Sequence, residues 1–131
     1  MDIGRIDEVI AQDEELAVIP IYQKDGDPYL SASGEPCTIS VYGPESKAAK
    51  KAKKTEWRRL VKRAGQQAEH DEYESARIDK AAALVAAWSG WEANGSPAEC
   101  TPQNVKALLQ AEHILAQVEA GIGRHAAFLA R

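Results

Sequence analysis

A short break at residues 43–46 divides this sequence into a β-forming part and a helix-forming part. The break, Gly43-Pro44-Glu45-Ser46, combines residues that interrupt regular structure with a serine suited to begin a helix. Two β-branched segments precede it, and long runs of good helix formers follow it. The sequence therefore predicts a mainly α chain with a short N-terminal β-hairpin, which is an α+β fold with about three to four helices.

The hairpin is predicted over residues 17–43. Residues 17–22 are rich in β-branched and apolar side chains. Residues 37–42 are rich in β-branched side chains and alternate in polarity. Both patterns are expected of strands. Pro20 places the first strand at a sheet edge or a bulge, because proline cannot donate a backbone hydrogen bond. An isolated hairpin is only marginally stable in water, so we expect a helix packed on its apolar face or a strand from another subunit.

Two helices are predicted directly after the break. Ser46 is a candidate N-cap for a basic helix over residues 46–63. Residues 71–90 repeat apolar side chains at intervals of three and four, which predicts an amphipathic core helix that Gly90 ends. The apolar positions of this core helix are Tyr73, Ile78, Ala81, Ala82, Val85 and Trp88.

The C-terminal part begins with a loop over residues 91–97, indicated by its turn-forming residues. Thr101-Pro102 then combines an N-cap with proline at the first helical position. Residues 101–131 are predicted to form a helical hairpin or one kinked helix, with a break near His113.

The first sixteen residues form an acidic arm. Apolar residues at Ile3 and Ile6 could share one helical face, but Gly4 weakens this pattern. A short helix and a loose arm therefore both remain open. Residues 17–131 have the length of a single domain.

Charge and cysteine content indicate a cytoplasmic protein. The chain has 131 residues, a net charge of −4 and no apolar run of the roughly 18 residues that a membrane span needs. Its N-terminus is acidic, unlike a signal peptide. Cys37 and Cys100 lie far apart without a metal-binding pattern, so free thiols in a reducing compartment are expected.

The basic residues are concentrated in the helix predicted over residues 46–63. The candidate basic surface consists of Lys50, Lys51, Lys54, Arg58, Arg59, Lys62 and Arg63. Such a surface can bind phosphate groups or an acidic protein, but nucleic acid is disfavoured because the chain as a whole is acidic. The apolar stripe of this helix is poor, and Trp57 is its one large anchor.

No pattern typical of catalysis or cofactor binding is present in the sequence. His70, His113 and His125 have no nucleophile or metal-ligand frame around them. Gly121-Ile122-Gly123 lacks the preceding strand and third glycine of a phosphate-binding loop. The acidic clusters are interpreted as solvated faces or as intramolecular partners of the basic helix. We therefore predict no enzyme activity, no metal and no cofactor.

The tryptophans allow two interpretations. Trp88 and Trp91 could be interface residues, because tryptophan is enriched at binding hot spots. The preferred interpretation is that Trp88 belongs to the core and Trp91 covers the end of its helix, since aromatic residues also dominate small cores.

The order of these features resembles a known family. It comprises Gly34-Glu35-Pro36, Thr38-Ile39-Ser40-Val41-Tyr42-Gly43-Pro44-Glu45-Ser46-Lys47, a basic helix, a helix ending at Trp91, Asn94-Gly95-Ser96-Pro97, Thr101-Pro102-Gln103-Asn104-Val105, and a terminal helix with Gln117-Val118, Ile122, Arg124 and Phe128-Leu129. From about Gly34 to Arg131 the chain resembles the small tail assembly chaperones and related tail proteins of long-tailed bacteriophages and prophages.

The resemblance implies a non-catalytic factor that binds the helical tape-measure protein during polymerisation of the tail tube and is absent from the finished virion. The candidate partner-binding residues are Trp91, Val118, Ile122 and Phe128. Binding of the tail-tube protein and homo-oligomer formation stay open. The alternative is a phage protein that uses its basic helix to bind nucleic acid or to assist head packaging.

Overall fold

The computed structural model of the chain describes residues 3–62 and 70–130. A 3₁₀ turn, Ile3–Arg5, precedes five helices and five strands within these residues. They are α1 (Ile6–Glu14), β1 (Ala17–Pro20), β2 (Thr38–Val41), α2 (Lys47–Lys62), α3 (His70–Leu84), β3 (Val85–Ser89), β4 (Glu92–Ala93), β5 (Ser96–Pro97), α4 (Pro102–Leu108) and α5 (Glu112–Leu129). The fold is α+β with helices predominant, and the predicted helix count was too low.

The predicted hairpin strands belong to a larger sheet. β1 and β2 pair antiparallel, and β3 adds on the other side of β2, so the strand order is β1-β2-β3. Ile19 lies opposite Ile39, and Ile39 lies opposite Trp88. Because directly paired residues share one face of a sheet, these three side chains form a row on one side.

The long connection between β1 and β2 is itself folded. The Tyr29 N–H donates to the Ile21 carbonyl at 3.1 Å, and the Cys37 N–H donates to the Tyr29 carbonyl at 2.8 Å. The Ile21 N–H donates to the Cys37 carbonyl at 3.2 Å, which continues the hairpin beyond the strands. Tyr29 is thereby fixed beside the end of the sheet.

The core helix predicted over residues 71–90 was wrong from residue 85 onward. α3 ends at Leu84, and Val85–Ser89 is a strand paired with β2. Without this strand the second edge of β2 would expose backbone groups that need hydrogen-bond partners. The helix propensity of the two alanines in this strand is outweighed by the backbone hydrogen bonds that the strand forms with β2. Ile78 and Ala81 are buried as predicted, whereas Tyr73 is exposed.

The loop predicted over residues 91–97 contains a tight hairpin. β4 and β5 pair antiparallel around Asn94 and Gly95, which have φ angles of 53° and 82°. Two positive φ angles are characteristic of the type I′ turn that Asn-Gly favours.

The C-terminal part forms two helices. The Asn104 N–H donates to Thr101 Oγ1 at 3.2 Å, with Pro102 in the first turn, which confirms the predicted cap. The break lies at residues 109–111, slightly before the predicted position near His113. α4 packs on α3, and α5 packs on α3 and β1. α5 continues through both of its glycines.

The core lies between the sheet and helices α3, α4 and α5. Its buried members are Ile19, Ile21, Ile39, Val41, Ile78, Ala81, Val105, Leu109, Ile114, Leu115 and Val118. Gly121 lets α5 approach β1 closely, because a Cβ atom there would lie 2.7 Å from Ile19 Cγ1.

The N-terminal arm contains α1, and the end of this helix is attached to the rest of the chain. Asp13 is buried; its carbonyl accepts from the Gly43 N–H at 2.9 Å, and its carboxylate accepts from the Glu45 N–H at 2.8 Å. His125 Nε2 lies 3.1 Å from the Glu15 carbonyl oxygen. Of the two interpretations left open by the sequence, the helix is the one observed.

Candidate interaction surfaces

Helix α2 is fixed to the body of the protein at its N-terminal end. Ser46 is its N-cap, as predicted: Ser46 Oγ accepts from the Ala49 N–H at 3.2 Å and donates to the Gly43 carbonyl at 2.7 Å. The Glu14 carboxylate accepts from the Lys47 N–H at 2.7 Å. An acidic side chain at a helix N-terminus also interacts favourably with the helix dipole. Part of the acidic arm is thus an intramolecular partner of the basic helix.

Three large apolar residues of α2 point away from the body. The side chains of Trp57, Leu60 and Val61 are 67%, 59% and 57% exposed. The face toward α3 is instead formed by small residues, including Ala48 and Ala52. The apolar stripe that the sequence suggested is therefore two separate patches. The spacing contained this signal, because Trp57 lies five residues after Ala52, on the opposite side of a helix.

Most of the predicted basic surface is exposed. Lys50, Lys51, Lys54, Arg58, Arg59 and Lys62 are exposed, and Arg63 lies outside the described residues. Arg59 is bound to Asp79 of α3 at 3.0 Å, and Lys106 of α4 is bound to the same carboxylate at 3.3 Å. Arg59 therefore helps to hold α2 against α3, while its basic neighbours on the outer side extend into solvent.

A groove separates α2 from α3 and α4. It has a volume of about 480 Å³ and is lined in part by small residues, including Ala52, Ala76 and Ala83. The exposed residues Lys51 and Lys80 also line it. This groove explains why α2 buries little of its surface: small side chains face each other across a gap and do not interdigitate.

Trp91 lies in an aromatic cluster beside the sheet. Its ring centroid is 5.6 Å from that of Tyr29 and 6.4 Å from that of Trp88. Trp91 Nε1 donates to the Thr38 carbonyl at 3.1 Å, and Trp88 Nε1 donates to the Ala98 carbonyl at 2.8 Å. Both rings are partly buried, with their polar atoms bound internally. Trp91 thus packs beside the sheet, and its indole N–H anchors it to the backbone of β2 at Thr38.

The candidate partner-binding residues of α5 differ in exposure. Val118 is fully buried in the core, so a partner cannot reach it without opening the fold. Ile122 is partly buried against the core. Phe128 is 66% exposed near the end of α5. Among the four residues predicted for partner binding, Phe128 is the one that offers a large apolar surface to solvent.

An ionic cluster joins α3 to α5. Arg77 Nη2 donates to Glu112 Oε1 at 3.0 Å and also bonds to Glu119. The hydrogen bonds to Glu119 and Glu112 raise the pKa of the Arg77 guanidinium, so it stays charged. These ion pairs orient the two helices relative to each other.

His113 and the two cysteines lie among residues of the folded body. His113 Nε2 lies 2.6 Å from the Tyr29 hydroxyl, on the side of the aromatic cluster. Burial, with a smaller effect of Glu92, raises the pKa of the Cys37 thiol, and burial raises that of Cys100. Raised thiol pKa values lower the fraction of reactive thiolate at neutral pH. Within residues 3–62 and 70–130, no group of three or more His, Cys, Asp or Glu side chains could hold a metal ion.

No helix in the described part of the chain combines the length and the apolar content needed to cross a bilayer. Comparison with known proteins finds no matching family model, no similar curated protein and no similar solved structure. The surfaces themselves must therefore guide the functional assignment.

Proposed function

We propose that this protein is a tail assembly chaperone of a long-tailed bacteriophage or prophage, which binds the tape-measure protein in the host cytoplasm without catalysis. The family is suggested by the order of sequence features between Gly34 and Arg131. The mode of action is suggested by the surface: a chaperone must offer apolar contacts that a helical client can exchange for its own.

One observation carries the binding role. The core closes without Trp57, Leu60, Val61 and Phe128, although Trp57 and Phe128 are among the largest apolar side chains of the chain. Large apolar residues grouped on an exposed helix face are typical of helix-binding surfaces, and aromatic residues contribute disproportionately to interface energies. Trp57, Leu60 and Val61 therefore replace Trp91 and Val118 as candidate contacts, together with Phe128.

Nucleic acid is the second candidate because Lys and Arg dominate the exposed side of α2. Phosphate contacts would account for the cations but would leave Leu60 and Val61 without partners. Binding through phosphates alone would also weaken steeply with salt. The apolar group beside the cations makes a protein partner the better explanation.

Co-expression with a tape-measure protein tests the proposal. We expect the partner to shift from the insoluble to the soluble fraction and to co-purify with this chain. Replacing both Trp57 and Phe128 by alanine should reduce the co-purified amount several-fold, because truncation of exposed interface aromatics removes binding energy with little effect on folding.

The matched control is Leu30→Ala, which removes an exposed apolar side chain from the loop between β1 and β2. This variant should retain capture. Circular dichroism and thermal unfolding of each variant check that the fold is intact. A partner that stays insoluble at equal expression would contradict the proposal, as would duplex DNA bound tightly at about 0.2 M salt, where a few phosphate contacts no longer suffice.

A further inference from the structure

The outer face of α2 has two chemically different halves along one stripe. Lys50, Lys53, Lys54, Trp57, Leu60 and Val61 follow each other at spacings of three, one, three, three and one residues. This is the spacing of one side of a helix, repeated over two heptads. The first half of the stripe is cationic and the second half is apolar, and all six side chains are exposed. We call this set the outer stripe.

The opposite face of α2 already has neighbours. Ala48, Ala52 and Arg59 face α3 across the groove, and Arg59 pairs with Asp79 at 3.0 Å. In contrast, Lys50, Lys53 and Lys54 form no ion pair with any residue that the structure describes. The outer stripe is therefore an unpartnered helix face, and its three lysines form no ion pair within residues 3–62 and 70–130.

We infer that the outer stripe binds an amphipathic helix of a partner protein, with apolar residues of that helix against Trp57, Leu60 and Val61 and its carboxylates against Lys50, Lys53 and Lys54. Leu and Trp side chains at i, i+3 and i+4 are the usual anchors of helix-to-helix recognition. On the partner helix, carboxylates one to two turns away from its apolar residues complement the lysines and fix the register of the two helices. The inference deepens the proposed function and rests on it.

Charge distinguishes this occupant from a second copy of the chain. α2 carries eight basic residues and one acid, Glu56. Two α2 helices packed parallel would place these cations side by side, and two packed antiparallel would set each lysine half against the apolar half of the other copy. Neither arrangement supplies counter-charges for the lysines. A self-associated pair of outer stripes is thus disfavoured by the residues that would form it.

The order of residues along the stripe also disfavours a bilayer and a duplex. A helix lying on a membrane buries one continuous apolar face, but the first half of this face is formed by lysines. A nucleic-acid duplex would match the lysines but not Leu60 and Val61. A helix with an acidic half and an apolar half matches both parts of the stripe.

A synthetic peptide provides the direct test. The probe is a fluorescein-labelled helical peptide of about 18 residues, long enough to retain helicity. One of its faces carries leucines over one half and glutamates over the other. A scrambled peptide of the same composition, which distributes these residues around the helix, is the matched control. Binding to the full chain is measured by fluorescence anisotropy.

We expect the ordered peptide to bind at least about ten-fold more tightly than the scrambled one, as expected when both halves of the stripe are engaged. Trp57→Ala and the double variant Lys50→Glu/Lys53→Glu should each weaken binding by about ten-fold or more. A peptide with lysines in place of glutamates should recover affinity for the charge-reversed double variant. Such recovery is specific for direct charge pairing, since an unfolded variant cannot show it.

Two control variants make the same kinds of change outside the stripe and leave the stripe itself intact. Leu30→Ala removes an exposed apolar residue, and Lys24→Glu/Lys80→Glu reverses two exposed lysines elsewhere. Both should bind the ordered peptide like the natural protein. Equal binding of the two peptides would overturn the inference. So would equal losses in the control variants, or tighter Trp57-dependent binding of duplex DNA or anionic phosphatidylglycerol vesicles.

The two proposals can fail separately. If the ordered peptide binds through the outer stripe but the tape-measure protein is not captured, the proposed client is wrong and the stripe remains a helix-binding site. If the tape-measure protein is captured and the Lys50→Glu/Lys53→Glu variant captures it equally well, the chaperone role stands and the stripe is not its binding site.

Discussion

Helices α2 and α5 have similar lengths but contribute very differently to the core. α5 has 18 residues and buries Ile114, Leu115, Val118 and Gly121 in the core, whereas α2 has 16 residues and buries Ala49. Both contain mostly good helix formers, so local propensity does not distinguish them. The difference lies in where the large apolar side chains fall around each helix.

This difference separates the contribution to stability from the proposed binding role in one molecule. On α5 the apolar stripe faces the sheet and contributes to folding through burial of apolar area. On α2 the alanines face α3, and the large side chains face solvent, where they contribute little to folding and remain available to a partner. Substitutions of the same chemical kind should therefore have different consequences on the two helices.

The largest expected effect comes from truncating a leucine on each helix. Leu115→Ala on α5 should lower the free energy of unfolding by about 2–5 kcal/mol, because it leaves a cavity in the core. Leu60→Ala on α2 should change it by less than about 0.5 kcal/mol, as is usual for exposed positions. Urea denaturation followed by circular dichroism measures both. Similar losses in the two variants would mean that α2 is packed more tightly than the structure shows.

A smaller effect is expected at the two described glycines of α5. A Cβ at Gly121 would meet the side chain of Ile19, whereas nothing lies within 4 Å of a Cβ at Gly123. Overpacking at Gly121→Ala should cost about 1–3 kcal/mol, against a gain of about 1 kcal/mol in helix propensity. Gly123→Ala should show the gain alone. Thermal unfolding should therefore rank Gly123→Ala above the natural protein, and Gly121→Ala below Gly123→Ala.

The smallest effect concerns the point where α2 joins the body. Ser46→Ala removes the N-cap and should destabilise the protein by about 0.5–2 kcal/mol. Thr55→Ala, further along α2, removes a hydroxyl that bonds to the Lys51 carbonyl within the helix, and it should be neutral or slightly stabilising. Chemical denaturation of this pair tests whether α2 is anchored at its first turn. Equal stability of the two variants would contradict that anchoring.

The sequence alone predicted those elements whose signals are local. Ser46 and Thr101 act as N-caps because a hydroxyl next to free N–H groups needs only its immediate neighbours. The β-branched segments around Val18 and Ile39 form strands for a similarly local reason. The exposed cations of α2 were also predictable, since charged side chains stay in water unless they are paired.

The tertiary structure decided the features that depend on distant residues. Val85–Ser89 continues the helical periodicity of α3, yet it forms a strand because it pairs with β2, which lies about 45 to 50 residues earlier in the chain. Trp91 became a sheet-packing residue because Tyr29 and Thr38 lie next to it in space. The direction in which Trp57, Leu60 and Val61 point was fixed by which face of α2 meets α3. Helix propensity and spacing define the faces of a helix, but only its packing partners determine which face is buried.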